Sequence, residues 1–184
     1  MHKLILTSDY EVYGNGSGHV ENCLIRPTEE ILSICNERNI RICFFVDVCE
    51  IWAMEKEETT IDSAKEIVNQ LEQIIRTGHD IQLHLHPQWL HAKYKNGKWI
   101  PDYNYWRLFT VSDLDFGEFG PGVKGLLKKG KNWLEELIQK WDPGYNCTAF
   151  RAGAWCIQPE NDIIQALKEL GFKYESSVAP GMKF

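Results

Sequence analysis

His84 and His86 stand two residues apart in a segment where apolar and polar side chains alternate, Ile81-Gln82-Leu83-His84-Leu85-His86. On a β-strand such residues leave the same face, so the two imidazoles are placed to share one ion. Neutral imidazole suits zinc and several other divalent metals. Asp9 and Glu11 share a face in the same way at the end of the first apolar run. Two histidines and one carboxylate leave a coordination position open for water, so one carboxylate can ligate while the other acts as a base. The spacing leaves open which does which. Arg151 ends a later apolar run, where it can pair with the catalytic carboxylate and hold it ionised and oriented. The competing readings are a hydrogen-bonded histidine pair and an exposed arginine.

These groups need elements that bring their ends together. Short apolar runs alternate with longer segments of helical period, which predicts an α/β fold with a parallel sheet or barrel covered by helices. Strands are expected over Lys3–Asp9, Arg41–Asp47, His79–His86, Cys147–Arg151 and Lys173–Val178. Helices are expected from Pro27, over Ile61–Arg76, along the stripe Val123 to Ile138, and over Pro159–Leu170. In such folds functional groups gather at the C-terminal strand ends, and Asp9 with Glu11, Asp47, His84 with His86, and Arg151 all fall there. His79 falls at the opposite end and reads as structural. The stretch Pro87 to Gly120 is long enough to be a lid, and it carries a run of aromatics that includes Trp89. These aromatics could form the core of the excursion or present flat faces that pack on sugar rings, and Trp155 could be core or a wall of a substrate groove; Trp89 and Trp155 are the candidate substrate contacts. Gly14, Gly16 and Gly18 fit neither phosphate-binding fingerprint and read as a flexible turn.

With 184 residues the chain is expected to be one domain spanning 1–184. No segment approaches the roughly 20 apolar residues of a membrane span. A net charge of −6 with scattered basic residues argues against nucleic acid. The run Leu4-Ile5-Leu6 is too short for a secretory signal, so a cytoplasmic protein is expected. The six cysteines form no Cys-x-x-Cys pair and are expected to be reduced core residues.

At four places, in order, the sequence resembles the polysaccharide deacetylase (NodB-like) family of metal-dependent carbohydrate esterases. These are Leu6-Thr7-Ser8-Asp9, Ile42-Cys43-Phe44-Phe45-Val46, Gly78-His79-Asp80-Ile81 through His84, and Phe150-Arg151-Ala152-Gly153. The resemblance implies a distorted (β/α) barrel of which about five of seven strands are present. It implies Asp9 as catalytic base, His84 as the first metal histidine, and Arg151 as the residue that positions the base. The family pattern has a second aspartate directly after the first; here Tyr10 stands there and Glu11 inherits the ligand role, with exchange between Asp9 and Glu11 open. The second metal histidine of the pattern would fall at Gln88, so His86 is its substitute, as in a divergent His-x-His-Pro branch. The expected cofactor is a divalent ion, zinc first, and the expected reaction removes an N-acetyl or related acyl group from a carbohydrate. The alternatives are a small-molecule amidase or imidase on the same scaffold, and a carbohydrate- or metal-binding remnant without turnover. The family's late histidine, its general acid, has no counterpart before Phe184, so the chain reads as C-terminally incomplete, with homodimers expected through an open barrel edge.

Overall fold

The computed structural model describes residues 4–178 and 181. It is a mixed α/β fold built on a five-stranded parallel sheet, β1 (Leu6–Tyr10), β2 (Ile42–Asp47), β3 (Asp80–Leu85), β6 (Ala149–Ala152) and β7 (Tyr174–Glu175), whose spatial order follows the chain. The expected start of the first strand at Lys3 lies outside the described residues. An antiparallel hairpin, β4 (Lys93–Lys95) and β5 (Lys98–Ile100), lies within the long excursion after β3. Its turn is Asn96-Gly97, both at positive φ, a pair that two-residue hairpin loops favour. The expected barrel is represented by the parallel sheet alone, and no ladder joins its end strands β1 and β7 among the described residues. β7 is shorter than the expected Lys173–Val178, because only Tyr174 and Glu175 find partners, in Ala149 and Phe150.

The helices form where periodicity and stop signals coincide. α1 (Arg26–Glu37) follows a π-helical turn, Glu21–Ile25, and carries Pro27 in its first turn, where a missing N–H costs nothing. α3 (Ile61–Arg76) buries Ala64, Ile67, Leu71 and Ile74, one stripe at helical spacing. Gly78, at φ 82°, ends it and lets the His79 N–H bond back to the Ile74 carbonyl. α4 (Gly122–Ile138) and α5 (Glu160–Glu169) follow the expected stripes. α2 (Val48–Glu55) was not anticipated; it starts directly after β2 and is buried on all sides from Val48 to Met54. None of the described helices is long and apolar enough to cross a membrane.

The sheet has two unlike faces. Ile81, Leu83 and Leu85 of β3 are fully buried, and Leu83 and Leu85 pack against α4 at Gly130, where an added Cβ would lie 3.0 Å from Leu83. Burial of side chains of this size contributes about 1.5–3 kcal/mol each. The opposite face carries Gln82 and His84 on β3, continued by His86 just beyond it, as the alternation predicts. At the far end of the sheet His79 Nδ1 accepts from the Ile42 N–H at 3.4 Å, a structural role as expected. All six cysteines are free.

Candidate metal centre

The parallel register sets the functional side chains on the polar face. Asp47 is level with His84, and His84 with Arg151, while Asp9 lies opposite Phe45 one inward-facing position before Glu11. The loop after β1 then brings Glu11 over the histidines. Glu11 Oε2 lies 2.6 Å from His86 Nε2 and 3.2 Å from His84 Nε2. The two rings meet edge-on with centroids 4.8 Å apart. Ligand atoms of Glu11, His84 and His86 all fall within 4.8 Å of one another, a spacing that can hold a single ion.

The hydrogen bonds around His84 test whether a cation fits. Its Nδ1 donates to the main-chain carbonyl of Arg151 at 2.7 Å, which fixes the proton on that nitrogen in the neutral ring. Nε2 is then a lone pair, buried, without a hydrogen-bond partner, and facing a carboxylate oxygen. Two lone pairs opposed across such a gap repel unless a positive charge lies between them. Either a proton or a divalent ion can supply that charge, and the ion suits a set of two imidazoles and one carboxylate.

In the ion-free chain the three residues hold one another by charge. Burial pushes the Glu11 carboxyl upward, but the adjacent imidazoles of His84 and His86 outweigh it and hold Glu11 well below the usual carboxylate range. Burial likewise works against a charged His86, but Glu11, through its hydrogen bond and its charge, and then Asp47 raise it to about 9.

Asp9 and Arg151 form the second part of the site. The Arg151 Nη1 donates to Asp9 Oδ1, and Nη2 donates to Thr7 Oγ1 at 3.0 Å and to Ser176 Oγ at 2.8 Å. Its guanidinium lies 4.1 Å above the Phe45 ring centre. One side chain thus reaches from β6 to β1 and to the residue after β7, so the sheet curls until its two ends are within a guanidinium's span.

Beneath the ligands, the N-terminus of α2 holds both sides of the site. Asp47 Oδ1 accepts the His86 N–H at 3.1 Å and the Cys49 N–H at 3.0 Å; Glu50 Oε2 accepts the N–H of Val12, next to Glu11, at 3.0 Å. Burial raises Asp47 to about 6 against the pull of His86 and His84, and burial followed by the Asp47 charge pushes Glu50 well upward. Asp47 was read only as a polar strand end, and Glu50 was not singled out. The pattern Asp47-x-x-Glu50 before an apolar run is a helix-start signal that could have revealed both.

Gly153 completes the pocket. An added Cβ there would lie 2.7 Å from His86 Nδ1 and 2.7 Å from the Leu85 carbonyl oxygen, so only glycine lets the chain pass this close to the ring. Of the two candidate substrate contacts, Trp89 takes the core alternative and not the substrate one: it is 1% exposed and edge-on to Trp99 in the core. Trp155 is half exposed and borders a cavity lined by Thr7, Arg151, Ser176 and Ser177. Both Ala154 and Trp155 have positive φ, 54° and 51°, a strained pair that turns the indole outward beside Arg151.

No protein-family model matches the chain, and no curated protein matches it. Among solved structures it resembles a crystal structure from Mycobacterium smegmatis of a protein provisionally named a polysaccharide deacetylase, at 16% identity and a TM-score of 0.48. The match covers 95% of this chain and 50% of that one, so the chain spans about half the length of that protein.

Proposed function

We propose that the chain carries a metal-dependent hydrolase site that removes an N-acetyl or related acyl group from a carbohydrate. The observation that carries this reading is the convergence of Glu11, His84 and His86 beside an Asp9 held by Arg151. Glu11 Oε2 and the Nε2 atoms of His84 and His86 would hold the ion, zinc being the first candidate. When bound, such an ion lowers the pKa of water and polarises an acyl carbonyl.

In this reading Asp9 acts as the base. Arg151 occupies its Oδ1, and Oδ2 has no hydrogen-bond partner among the described residues, so it is available to accept a proton from an attacking water. Arg151 is anchored on Thr7 and Ser176 and therefore fixes the direction in which that carboxylate faces. The outward Trp155 and the hydroxyls around Arg151 favour a substrate with a flat apolar face and many hydroxyls, which describes a sugar ring. The sheet, with its strands in chain order and chemistry at their C-terminal ends, supports the reading of a partial (β/α) barrel.

The test is acetate release from N-acetylglucosamine oligomers by the zinc-loaded chain, beside small amides and cyclic imides. Slow turnover of the oligomers is expected, since no residue is assigned as the general acid that would protonate the leaving nitrogen. Hydrolysis of the amides or imides with none of the oligomers would replace the carbohydrate reading by the amidase one.

A further inference from the structure

Gln88 lies in the 3-10 turn Pro87–Trp89, directly after the second metal-site histidine, and its side chain folds back on that ring. It is 4% exposed, and its Nε2 sits 2.9 Å from His86 Nδ1. Its other amide atom, Oε1, is buried with no hydrogen-bond partner. A buried amide oxygen without a donor costs about 1–3 kcal/mol, so one is retained where it has a use.

The chemistry of His86 supplies that use. For Nε2 to offer a lone pair to an ion beside Glu11, a neutral imidazole must carry its hydrogen on Nδ1. That hydrogen then faces the Gln88 amide. Nε2 of Gln88 cannot accept it, whereas Oε1 can, and a half-turn about the last side-chain torsion exchanges the two atoms. Gly153 closes the other side of Nδ1 so tightly that a Cβ would lie 2.7 Å away, leaving little room for a water to substitute. The main chain of the turn is held as well: the Gln88 carbonyl accepts the Asp102 N–H at 2.9 Å, and the His86 carbonyl accepts the Trp89 N–H at 3.1 Å.

We infer that Gln88 is a positioning residue for the metal centre: its amide oxygen takes the Nδ1 hydrogen of His86 and so directs the Nε2 lone pair at a divalent cation. The inference rests on reading Glu11, His84 and His86 as a metal site. It makes His86 the counterpart of His84, whose Nδ1 hydrogen goes to the Arg151 carbonyl.

The experiment uses the full chain, zinc and cobalt buffered by a chelator of known affinity, and two variants of similar volume. Gln88→Glu presents only acceptor oxygens, and Gln88→Met presents none. Gln88→Met is expected to bind zinc about 10- to 100-fold more weakly than the wild type, and Gln88→Glu at least as tightly as the wild type. A side chain that only filled space would not give opposite responses. Nitrogen-15 spectra of the zinc-loaded wild type need no variant, and should show His86 with its hydrogen on Nδ1. A hydrogen on Nε2, a Gln88→Met affinity within about twofold of wild type, or an equal loss in both variants would each overturn the inference while leaving the metal site standing. A wild type that takes up no ion would overturn both together.

Discussion

Loading the site with zinc at different pH values tests its electrostatics quantitatively. Burial disfavours a charged His86, yet Glu11 and then Asp47 outweigh it, so the ring keeps its proton to about pH 9 in the ion-free chain. An ion needs the Nε2 lone pair and must displace that proton. At pH 7 the displacement spans about two pH units, so apparent affinity should be roughly a hundredfold weaker than its plateau above pH 9, recovering about tenfold per unit. Glu11 lies far below this window and adds no step within it. Titrations against a chelator at pH 7, 8 and 9 read the slope directly. Calorimetry in buffers of different ionisation enthalpy should find about one proton released at pH 7. Glu11→Gln removes the main group that raises His86, so its affinity should be weaker throughout but nearly level from pH 7 to 9. Equal wild-type affinity at pH 7 and 9, or an undiminished slope in Glu11→Gln, would refute the reasoning.

Asp9→Asn and Arg151→Ala should each lower turnover by about a hundredfold or more while keeping zinc affinity within about threefold, because His84 contacts only the main chain of residue 151; loss of the ion from Asp9→Asn would exchange the roles of Asp9 and Glu11. Gly153→Ala should cost about 1–3 kcal/mol in denaturant unfolding and weaken zinc binding about tenfold, since its Cβ meets His86 and a backbone carbonyl; wild-type values would mean that the ring yields freely. The ion-free chain should lose stability as pH rises, because His86 binds its proton more tightly folded, at about 9, than unfolded, at about 6.5. That contribution is complete below about pH 6.5 and lost by about pH 9, on the order of 3 kcal/mol at most. Urea unfolding at the two pH values measures it, and the same fall in Glu11→Gln would assign it elsewhere.

The parts of this architecture that were legible in the sequence are those with a clean period. The alternation through Ile81 to His86 placed His84 and His86 on one face, and the stripe from Ile61 to Arg76 gave α3 its observed ends. α2 was hidden because all its residues from Val48 to Met54 are buried, so it has no polar face to mark it, and it follows β2 without a break. The hairpin β4–β5 did carry a signal, Asn96-Gly97 between short runs, inside a segment read only as an excursion. Trp89 shows the limit of composition, since an aromatic looks the same in sequence whether it fills a core or lines a groove. Gln88 and Gly153 matter through contacts across the pocket, which spacing along one strand does not reveal.

The bracket at the start of α2 also bears on when the site forms during folding. His86 and Val12 are tied to Asp47 and Glu50 across 39 and 38 residues, His84 to Arg151 across 67, and Arg151 to Asp9 across 142. Contacts this distant in sequence demand most of the chain's loop closure before they return any energy. The histidine pair is local to β3 and the residue after it, but Glu11 comes over it only once β1, β2 and β3 have docked, so the full ligand set is expected late. Bound zinc should then act as a latch on the finished structure, slowing unfolding while leaving the refolding rate nearly unchanged. Stopped-flow kinetics in which zinc accelerates refolding as much as it retards unfolding would place the site in the folding nucleus instead.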